Sequence, residues 1–268
     1  MDRTNASGPV LWSLDPRRVG SVVLNRPEVN NAYDGALIAG LGAAMDALSA
    51  VDGLRAVVIT GNGRHFQAGA DLAWIDAVRK RSEAENIQAS RATAQAVHRL
   101  NLLPVPTIAL VQGGCFGGGT GIIAACDVVV AADNAQFSIS EVRWGLTAAI
   151  IVPQLVDAIG VRQVRRYALT AERFGADEAR RIGLVHEVVP LAELEAAGAR
   201  IVAHLLENDP RAIAETKSIA SSYAHGDLDA AALDRLVAAH AAKRRSPEAA
   251  EGLASFAERR AAKWAGPV

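Results

Sequence analysis

Two glycine-rich loops and one glutamate contain the residue types that could act together in chemistry. Residues 65–71 read His-Phe-Gln-Ala-Gly-Ala-Asp, and residues 116–121 read Phe-Gly-Gly-Gly-Thr-Gly. Each loop lies between a predicted strand and a predicted helix, where small residues leave backbone N–H groups uncovered and the helix dipole favours negative charge. Two such N–H groups that converge on one point would form an oxyanion hole. Glu141, at the end of a later predicted strand, is the acidic residue that accompanies the loops.

The elements that must position these loops alternate between strand and helix. Asp34 and Asp71 are each placed to cap a helix that begins there, because Asp is a favoured N-cap residue. Strands are predicted at residues 19–24, 55–60, 107–111 and 127–132, and further helices at 83–103 and 122–125. This alternation predicts an α/β fold.

The pattern changes after about residue 150 and becomes mainly helical. Only residues 184–189 read as a strand there, and the predicted helices cover 150–160, 162–169, 191–207, 210–225, 228–245 and 247–264. The sequence therefore predicts a core at residues 1–195 and a helical region at 196–268 that packs on the core or on a neighbouring subunit.

Composition and absent motifs exclude several classes of protein. The 268 residues are 50% apolar with a formal net charge of −1, so we expect a globular protein without affinity for nucleic acid or for a membrane surface. Two cysteines and no apolar leader favour a reduced cytoplasm and argue against a disulfide scaffold or a cysteine zinc site. Dinucleotide, P-loop, nucleophile-elbow and zincin motifs are absent, so we expect no metal and no cofactor.

Along almost its whole length the sequence resembles the crotonase superfamily, the enoyl-CoA hydratase/isomerase family. The pieces that carry this resemblance occur in the family's order. They are Asn25-Arg26-Pro27, Asn31-Ala32, Ile59-Thr60-Gly61, Ala68-Gly69-Ala70-Asp71-Leu72, Phe116-Gly117-Gly118-Gly119, Cys126-Asp127, Ala135-Gln136-Phe137, Glu141-Val142-Arg143-Trp144-Gly145-Leu146, Thr170-Ala171-Glu172 and Gly183-Leu184-Val185.

The resemblance implies a fold, an assembly and a substrate. It implies a ClpP-like spiral core of repeated ββα units with a helical C-terminal region for trimerisation, giving a homotrimer or a dimer of trimers. It also implies an acyl-CoA thioester substrate, an oxyanion hole made by the N–H groups of Ala70 and Gly118, and an acyl pocket lined by residues 72–90 and 144–152. Further substrate-binding residues implied are Ala68, Gly69, Asp71, Gly117, Gly119, Gly121 and Trp144.

The number of carboxylates leaves the reaction open. The family's hydratases carry two glutamates, of which the second matches Glu141 and the first falls at Gly121, where it is absent. An apolar surrounding made by Trp144, Leu146 and Ile150 would raise the pKa of Glu141 and suit a general base that also returns the proton. One glutamate suffices for a 3,2-enoyl-CoA isomerase, whereas the local strings look more like bacterial hydratases of branched or glutaconyl-CoA pathways. Hydratase is therefore the preferred prediction, with the isomerase and a non-catalytic binding protein as alternatives.

Overall fold

The computed structural model describes residues 4–222 and 246–264, so the predicted helix at 228–245 lies outside the described residues. The chain divides into two compact units, residues 1–200 and 201–268. The first unit is α/β, as the alternating pattern predicts, and it carries both glycine loops and Glu141.

A seven-stranded sheet runs through the first unit in the order β1-β2-β3-β4-β5-β7-β10. The pairs β1–β2 and β2–β3 are antiparallel, and the remaining neighbours are parallel. Its strands are β1 (Thr4–Asn5), β2 (Val10–Leu14), β3 (Val19–Leu24), β4 (Ala56–Gly61), β5 (Thr107–Val111), β7 (Val128–Ala132) and β10 (Glu187–Val189). All residues of β5 are buried, because an interior strand of a parallel sheet is covered on both faces.

A smaller sheet, ordered β6-β8-β9, is built from short strands, of which the sequence predicts only the one that precedes Glu141. They are β6 (Gly114–Phe116), β8 (Gln136–Ser138) and β9 (Phe174–Gly175), the last of which corrects the expectation of a single strand after residue 150. Isolated parallel bridges, Gln67 with Cys115 and Tyr33 with Ala70, occur in the preceding loops. Strands of two or three residues are too short to show a period of two in the sequence.

The helices of the first unit alternate along the chain with the strands of these two sheets. They are α1 (Gly35–Ser49), α2 (Leu72–Arg79), α3 (Glu83–Asn101), α4 (Gly118–Ala124), α5 (Val152–Thr170), α6 (Ala176–Arg181) and α7 (Leu194–Leu206), which continues into the second unit. Asp34 caps α1 through Leu37 N–H and Asp71 caps α2, so both predicted caps are confirmed. The predicted helix 122–125 actually begins at Gly118, because the glycine run itself forms the first helical turn. The two helices predicted at 150–160 and 162–169 form one helix, α5, which bends at Gly160, whose φ is 72°.

The connectivity repeats one unit, a long strand, a short strand and a helix. The run β5-β6-α4 is followed by β7, β8 and α5, and β4 is followed by the bridge at Gln67 and then by α2 and α3. Equivalent turns of successive repeats lie side by side because their strands pair. The repeat therefore brings the loop at 65–71 against the loop at 116–121.

The second unit is helical in its described part. It contains the end of α7, α8 (Pro210–Ser222) and α9 (Pro247–Ala257). Arg211 pairs with Glu248 at 2.9 Å, and Trp264 Nε1 donates to the carbonyl of Glu207. None of the described helices is long and apolar enough to cross a membrane.

Candidate active site

The two glycine loops are joined by direct hydrogen bonds. The backbone N–H of Phe116 donates to the carbonyl of Gln67, and Gln67 N–H donates to the carbonyl of Gly114. His65 Nδ1 accepts from Gly114 N–H at 2.7 Å. The Gln67 side chain is fully buried. Its Nε2 donates to the Gly69 carbonyl, and its Oε1 accepts from the Gly69 N–H. His65 and Gln67 therefore fix the spacing of the loops, a role that the sequence analysis missed because neither residue stands out by type.

Backbone N–H groups in both loops lack an acceptor among the described residues, and they include those of Ala70 and Gly118. Gly118 opens α4, where the first N–H groups of a helix have no intrahelical partner. Ala70 forms an isolated bridge with Tyr33. The Tyr33 N–H donates to the Gly69 carbonyl and the Tyr33 carbonyl accepts from the Asp71 N–H, so Tyr33 does not bind the N–H of Ala70. The resemblance implies an oxyanion hole made by these two N–H groups, and that role stays a prediction.

Glycine is required in the second loop for two physical reasons. Gly117 has φ 49° and ψ −121°, a backbone conformation that residues with a Cβ rarely adopt. A Cβ at Gly118 would lie 2.6 Å from Cε1 of Tyr33, so a side chain there would displace the tyrosine ring. Glycine at both positions therefore allows this backbone conformation and the close packing of Tyr33 and Glu141 on the loop.

Glu141 lies directly against this loop. It starts a short 3-10 turn, Glu141–Trp144, just after β8, and its Oε1 is 3.1 Å from the position that a Cβ of Gly117 would take. Its Oε2 is buried and has no hydrogen-bond partner among the described residues. Burial raises the pKa of the Glu141 carboxyl above 4.5, and backbone hydrogen bonds from Glu141 and Ser140 lower it only in part.

The turn that carries Glu141 is held to the end of α5 by Arg143. The guanidinium donates twice to the carbonyl of Ala171, at 2.8 and 3.2 Å, and Ser138 Oγ donates to the same oxygen. Ala171 presents this carbonyl because it ends the helix in a left-handed conformation, with φ 49°. Arg143 is thus a positioning residue for Glu141.

One cavity of about 340 Å³ joins Glu141 to Gly118. Its walls come from both predicted regions, 72–90 and 144–152, and also from α1 and from the second half of α3. Apolar side chains dominate it, namely Leu37, Ile38, Leu41, Trp74, Ile75, Val78, Val97, Ile122, Leu146, Ile150 and Ile151. Such a lining suits an apolar acyl group with a few polar groups at one end.

The other predicted substrate-binding residues lie around this cavity rather than in its wall. Ala68 N–H donates to the carbonyl of Asn30, and Asp71 accepts from Ala73 and Trp74 as the cap of α2. A Cβ at Gly119 would lie 2.6 Å from Gln67 Oε1, so this glycine allows the two loops to pack closely.

Trp144 and Gly121 differ most from their predicted roles. The side chain of Trp144 is 59% exposed and does not line the cavity, so the apolar surrounding of Glu141 is made without it. Gly121 is buried in α4, where a Cβ would lie 2.1 Å from Cγ2 of Ile151. Ile151 therefore fills the space beside Gly121, the position to which the resemblance assigns the family's first glutamate.

Comparisons with known proteins identify the family of this chain. The sequence model of the family described as enoyl-CoA hydratase/isomerase matches residues 16–267. The chain belongs to the enoyl-CoA hydratase/isomerase family. It is 32% identical over 80% of its length to a short-chain-enoyl-CoA hydratase of Clostridium acetobutylicum, and 82% of that protein is covered. It is 35% identical over 72% of its length to a hydroxycinnamoyl-CoA hydratase-lyase of Pseudomonas fluorescens, of which 71% is covered.

Solved structures give the same result for the fold. A crystal structure of an enoyl-CoA hydratase from Shewanella pealeana superposes with a TM-score of 0.91 at 34% identity, over 96% of each chain. The expected crotonase fold is therefore confirmed for this family member.

Proposed function

We propose that this enoyl-CoA hydratase/isomerase family member is a hydratase that adds water across the 2,3 double bond of an acyl-CoA thioester. The observation that carries the proposal is the half-buried Glu141 against the loop that presents the Gly118 N–H, with its buried Oε2 unpartnered among the described residues. Both groups border one apolar cavity. Relatives named as enoyl-CoA hydratases at about a third identity support the same activity.

The proposed reaction follows from these groups. The thioester oxygen accepts hydrogen bonds from the N–H groups of Ala70 and Gly118, which withdraws electrons from Cβ. Glu141 takes a proton from water as the water oxygen bonds to Cβ, and the electron pair of the double bond moves to give an enolate. The same carboxyl then gives its proton to Cα as the enolate collapses. The proposal assigns proton transfer to one carboxylate and enolate stabilisation to backbone donors, and it includes no metal and no redox cofactor.

Isomerisation of a 3-enoyl-CoA is the second candidate, and the packing at Gly121 favours it. Ile151 occupies the space that a second glutamate would need, and a single carboxylate can carry a proton between two carbons. The non-catalytic alternative is disfavoured by the raised pKa of Glu141, because a binding protein has no need of a buried carboxylate beside an oxyanion hole.

The test is turnover of crotonyl-CoA and of a 3-enoyl-CoA in deuterated water. Loss of the conjugated thioester absorbance with one deuterium at Cα supports hydration. Gain of conjugation from the 3-enoyl ester alone would replace the proposal by the isomerase. No turnover of either ester, nor of longer and branched 2-enoyl-CoA esters, would favour the binding protein.

The pH dependence of hydration should show the raised pKa of Glu141. Glu141 must be ionised to act as the base, so kcat/KM should fall as the pH drops through a pKa that lies above the ordinary value of 4.5. A kcat/KM profile for crotonyl-CoA from neutral pH downward, within the range where circular dichroism shows the native fold, measures this limb. A midpoint at or below 4.5 would contradict the assignment of Glu141 as the base.

Trp74 is proposed to set the length of the acyl group. A second cavity of about 290 Å³ lies beside the first, and Ile38, Trp74 and Ala89 line both. Removing the indole in Trp74→Ala should join the two cavities. Each further methylene that enters is worth about 0.8 kcal/mol, so we expect kcat/KM to rise about fourfold per added methylene relative to crotonyl-CoA.

A series of 2-enoyl-CoA esters from four to ten carbons tests this role. Trp144→Ala, which removes an exposed indole outside the cavity, is the matched control and should keep the wild-type preference for chain length. An unchanged preference in Trp74→Ala would show that the two cavities do not connect through this side chain.

We further propose a homotrimer or a dimer of trimers in the cytoplasm, acting on an acyl-CoA and on neither nucleic acid nor membrane. The resemblance of the C-terminal region to the family's trimerisation helices supports this assembly. Light scattering of the purified chain measures it, and a monomer would contradict it.

A further inference from the structure

The packed position of Gly121 leaves the site with one carboxylate, although hydration needs both a base and a group that holds the water. Polar side chains other than Glu141 that line the described cavity are Tyr33, Trp74, Arg79, Asn86, Ser90, Thr93 and Thr147. The indole Nε1 of Trp74 lies 3.4 Å from the position that a Cβ of Gly35 would take, and Gly35 lines the second cavity and not this one. A water that attacks Cβ must lie near Glu141 and near the loop at 116–121. The group that holds this water therefore has to lie beside both Glu141 and that loop.

Most of these polar groups are engaged elsewhere or exposed. Arg79 pairs with Asp76 at 2.6 Å, and the Asn86 amide donates to backbone carbonyls at the start of α3. Thr93 donates to the carbonyl of Ala89. Ser90 and Thr147 are exposed to solvent. The phenol of Tyr33 is the polar group that remains within the described wall of the cavity.

Tyr33 is held in place by both loops of the site. Its backbone binds Gly69 and Asp71 at 2.9 Å each, and its ring lies over the Cα of Gly118, where an added Cβ would come within 2.6 Å of Cε1. Trp74 packs edge-on against the same ring, with centroids 5.9 Å apart. The ring is therefore fixed between the cavity and the loop at 116–121.

The phenol keeps its proton at neutral pH. Burial, together with the negative charge of nearby Glu141, raises the pKa of Tyr33 to about 12. A neutral phenol beside a carboxylate is a hydrogen-bond donor, whereas the carboxylate is an acceptor, so the two together match the needs of one water molecule.

We propose that the hydroxyl of Tyr33 is the second polar group of the site and holds the water that Glu141 activates. The inference rests on the proposed hydratase function. The phenol donates to one lone pair of the water oxygen, and the other lone pair forms the bond to Cβ. Glu141 accepts the proton that the water loses, and Tyr33 keeps its own proton throughout. Tyr33 thus takes the place of the carboxylate that Ile151 excludes at position 121.

The experiment is Tyr33→Phe, which removes the hydroxyl and keeps the ring on Gly118. We expect kcat for hydration to fall about 10- to 100-fold, while KM changes less than about threefold, because one oriented hydrogen bond to the reacting water is lost. Tyr167→Phe is the matched control, since the Tyr167 hydroxyl bonds Glu178 and lies outside the cavity. It should retain wild-type kcat.

A second measurement distinguishes a role in holding water from support of the loops. A chromophoric aminocinnamoyl-CoA absorbs further to the red when its thioester carbonyl is polarised, and it therefore reports on the oxyanion hole without turnover. In Tyr33→Phe the red shift should equal that of the wild type.

Each outcome decides the proposal. Hydration at the wild-type rate in Tyr33→Phe would overturn the proposal. Slow hydration together with a lost red shift would show that Tyr33 only supports the loops, which would also overturn the proposal. If the wild type binds the chromophoric ester with a red shift but hydrates no enoyl-CoA, the proposed function fails, and the role of Tyr33 fails with it.

Discussion

Glu141→Gln should reduce kcat for hydration by about 10²- to 10⁴-fold, the range that a positioned general acid–base group contributes. The amide keeps the size of the side chain, so its place against Gly117 and the packing of the cavity should persist. Affinity for a saturated acyl-CoA should stay within about threefold of the wild type. Stopped-flow loss of crotonyl-CoA absorbance and calorimetric binding of butyryl-CoA measure the two quantities. Glu195→Gln, at an exposed position on α7, is the matched control and should keep full activity.

The same substitution should not destabilise the fold. Burial raises the pKa of Glu141 in the native state, so its charge opposes folding at pH values above that pKa and has no such effect below the ordinary pKa of 4.5. The variant lacks this charge, and its Tm relative to the wild type should increase as the pH rises through the native pKa. A variant with full turnover, or one that has lost acyl-CoA binding along with activity, would contradict the assignment of Glu141.

Gly118→Ala should reduce kcat by about 10²- to 10³-fold, the cost of losing one oxyanion donor. The added Cβ would lie 2.6 Å from Cε1 of Tyr33, so either the ring or the first turn of α4 must move. Movement of the turn misaligns the Gly118 N–H, and movement of the ring displaces the Tyr33 hydroxyl. The red shift of a bound aminocinnamoyl-CoA should shrink in parallel with kcat, which separates this effect from loss of the base.

Gly42→Ala provides the control for a glycine substitution in a helix. Gly42 lies within α1, where the nearest atom to an added Cβ is Arg99 Nη1 at 3.6 Å, an ordinary contact. Alanine also favours a helix over glycine by about 1 kcal/mol. Gly42→Ala should therefore keep its activity and gain stability. A Gly118→Ala enzyme with wild-type kcat and an unchanged red shift would show that the oxyanion does not bind at this loop.

Much of the site's local structure could be predicted from the sequence, because short-range physics determines it. The apolar run at β3 matches the predicted strand residue for residue, and Asp34 and Asp71 cap their helices as their residue type favours. The glycine run predicted exposed backbone N–H groups at a helix start, and Gly118 provides one.

What the sequence could not reveal depends on contacts between distant segments. Three residues of the site are held by contacts with distant parts of the chain: Tyr33 and Gln67 by isolated bridges, and His65 by a hydrogen bond to Gly114. No periodic pattern in the sequence around them predicts these contacts. Trp144 follows Glu141 closely in sequence, yet the 3-10 turn directs its side chain to solvent. The sequence by itself identified the two glycine loops and Glu141 as candidates for the site, because propensity and residue type act locally. Only the tertiary structure decided that Ile151 fills the space at Gly121 and that Tyr33 lies beside Glu141, because those facts depend on how separate repeats pack.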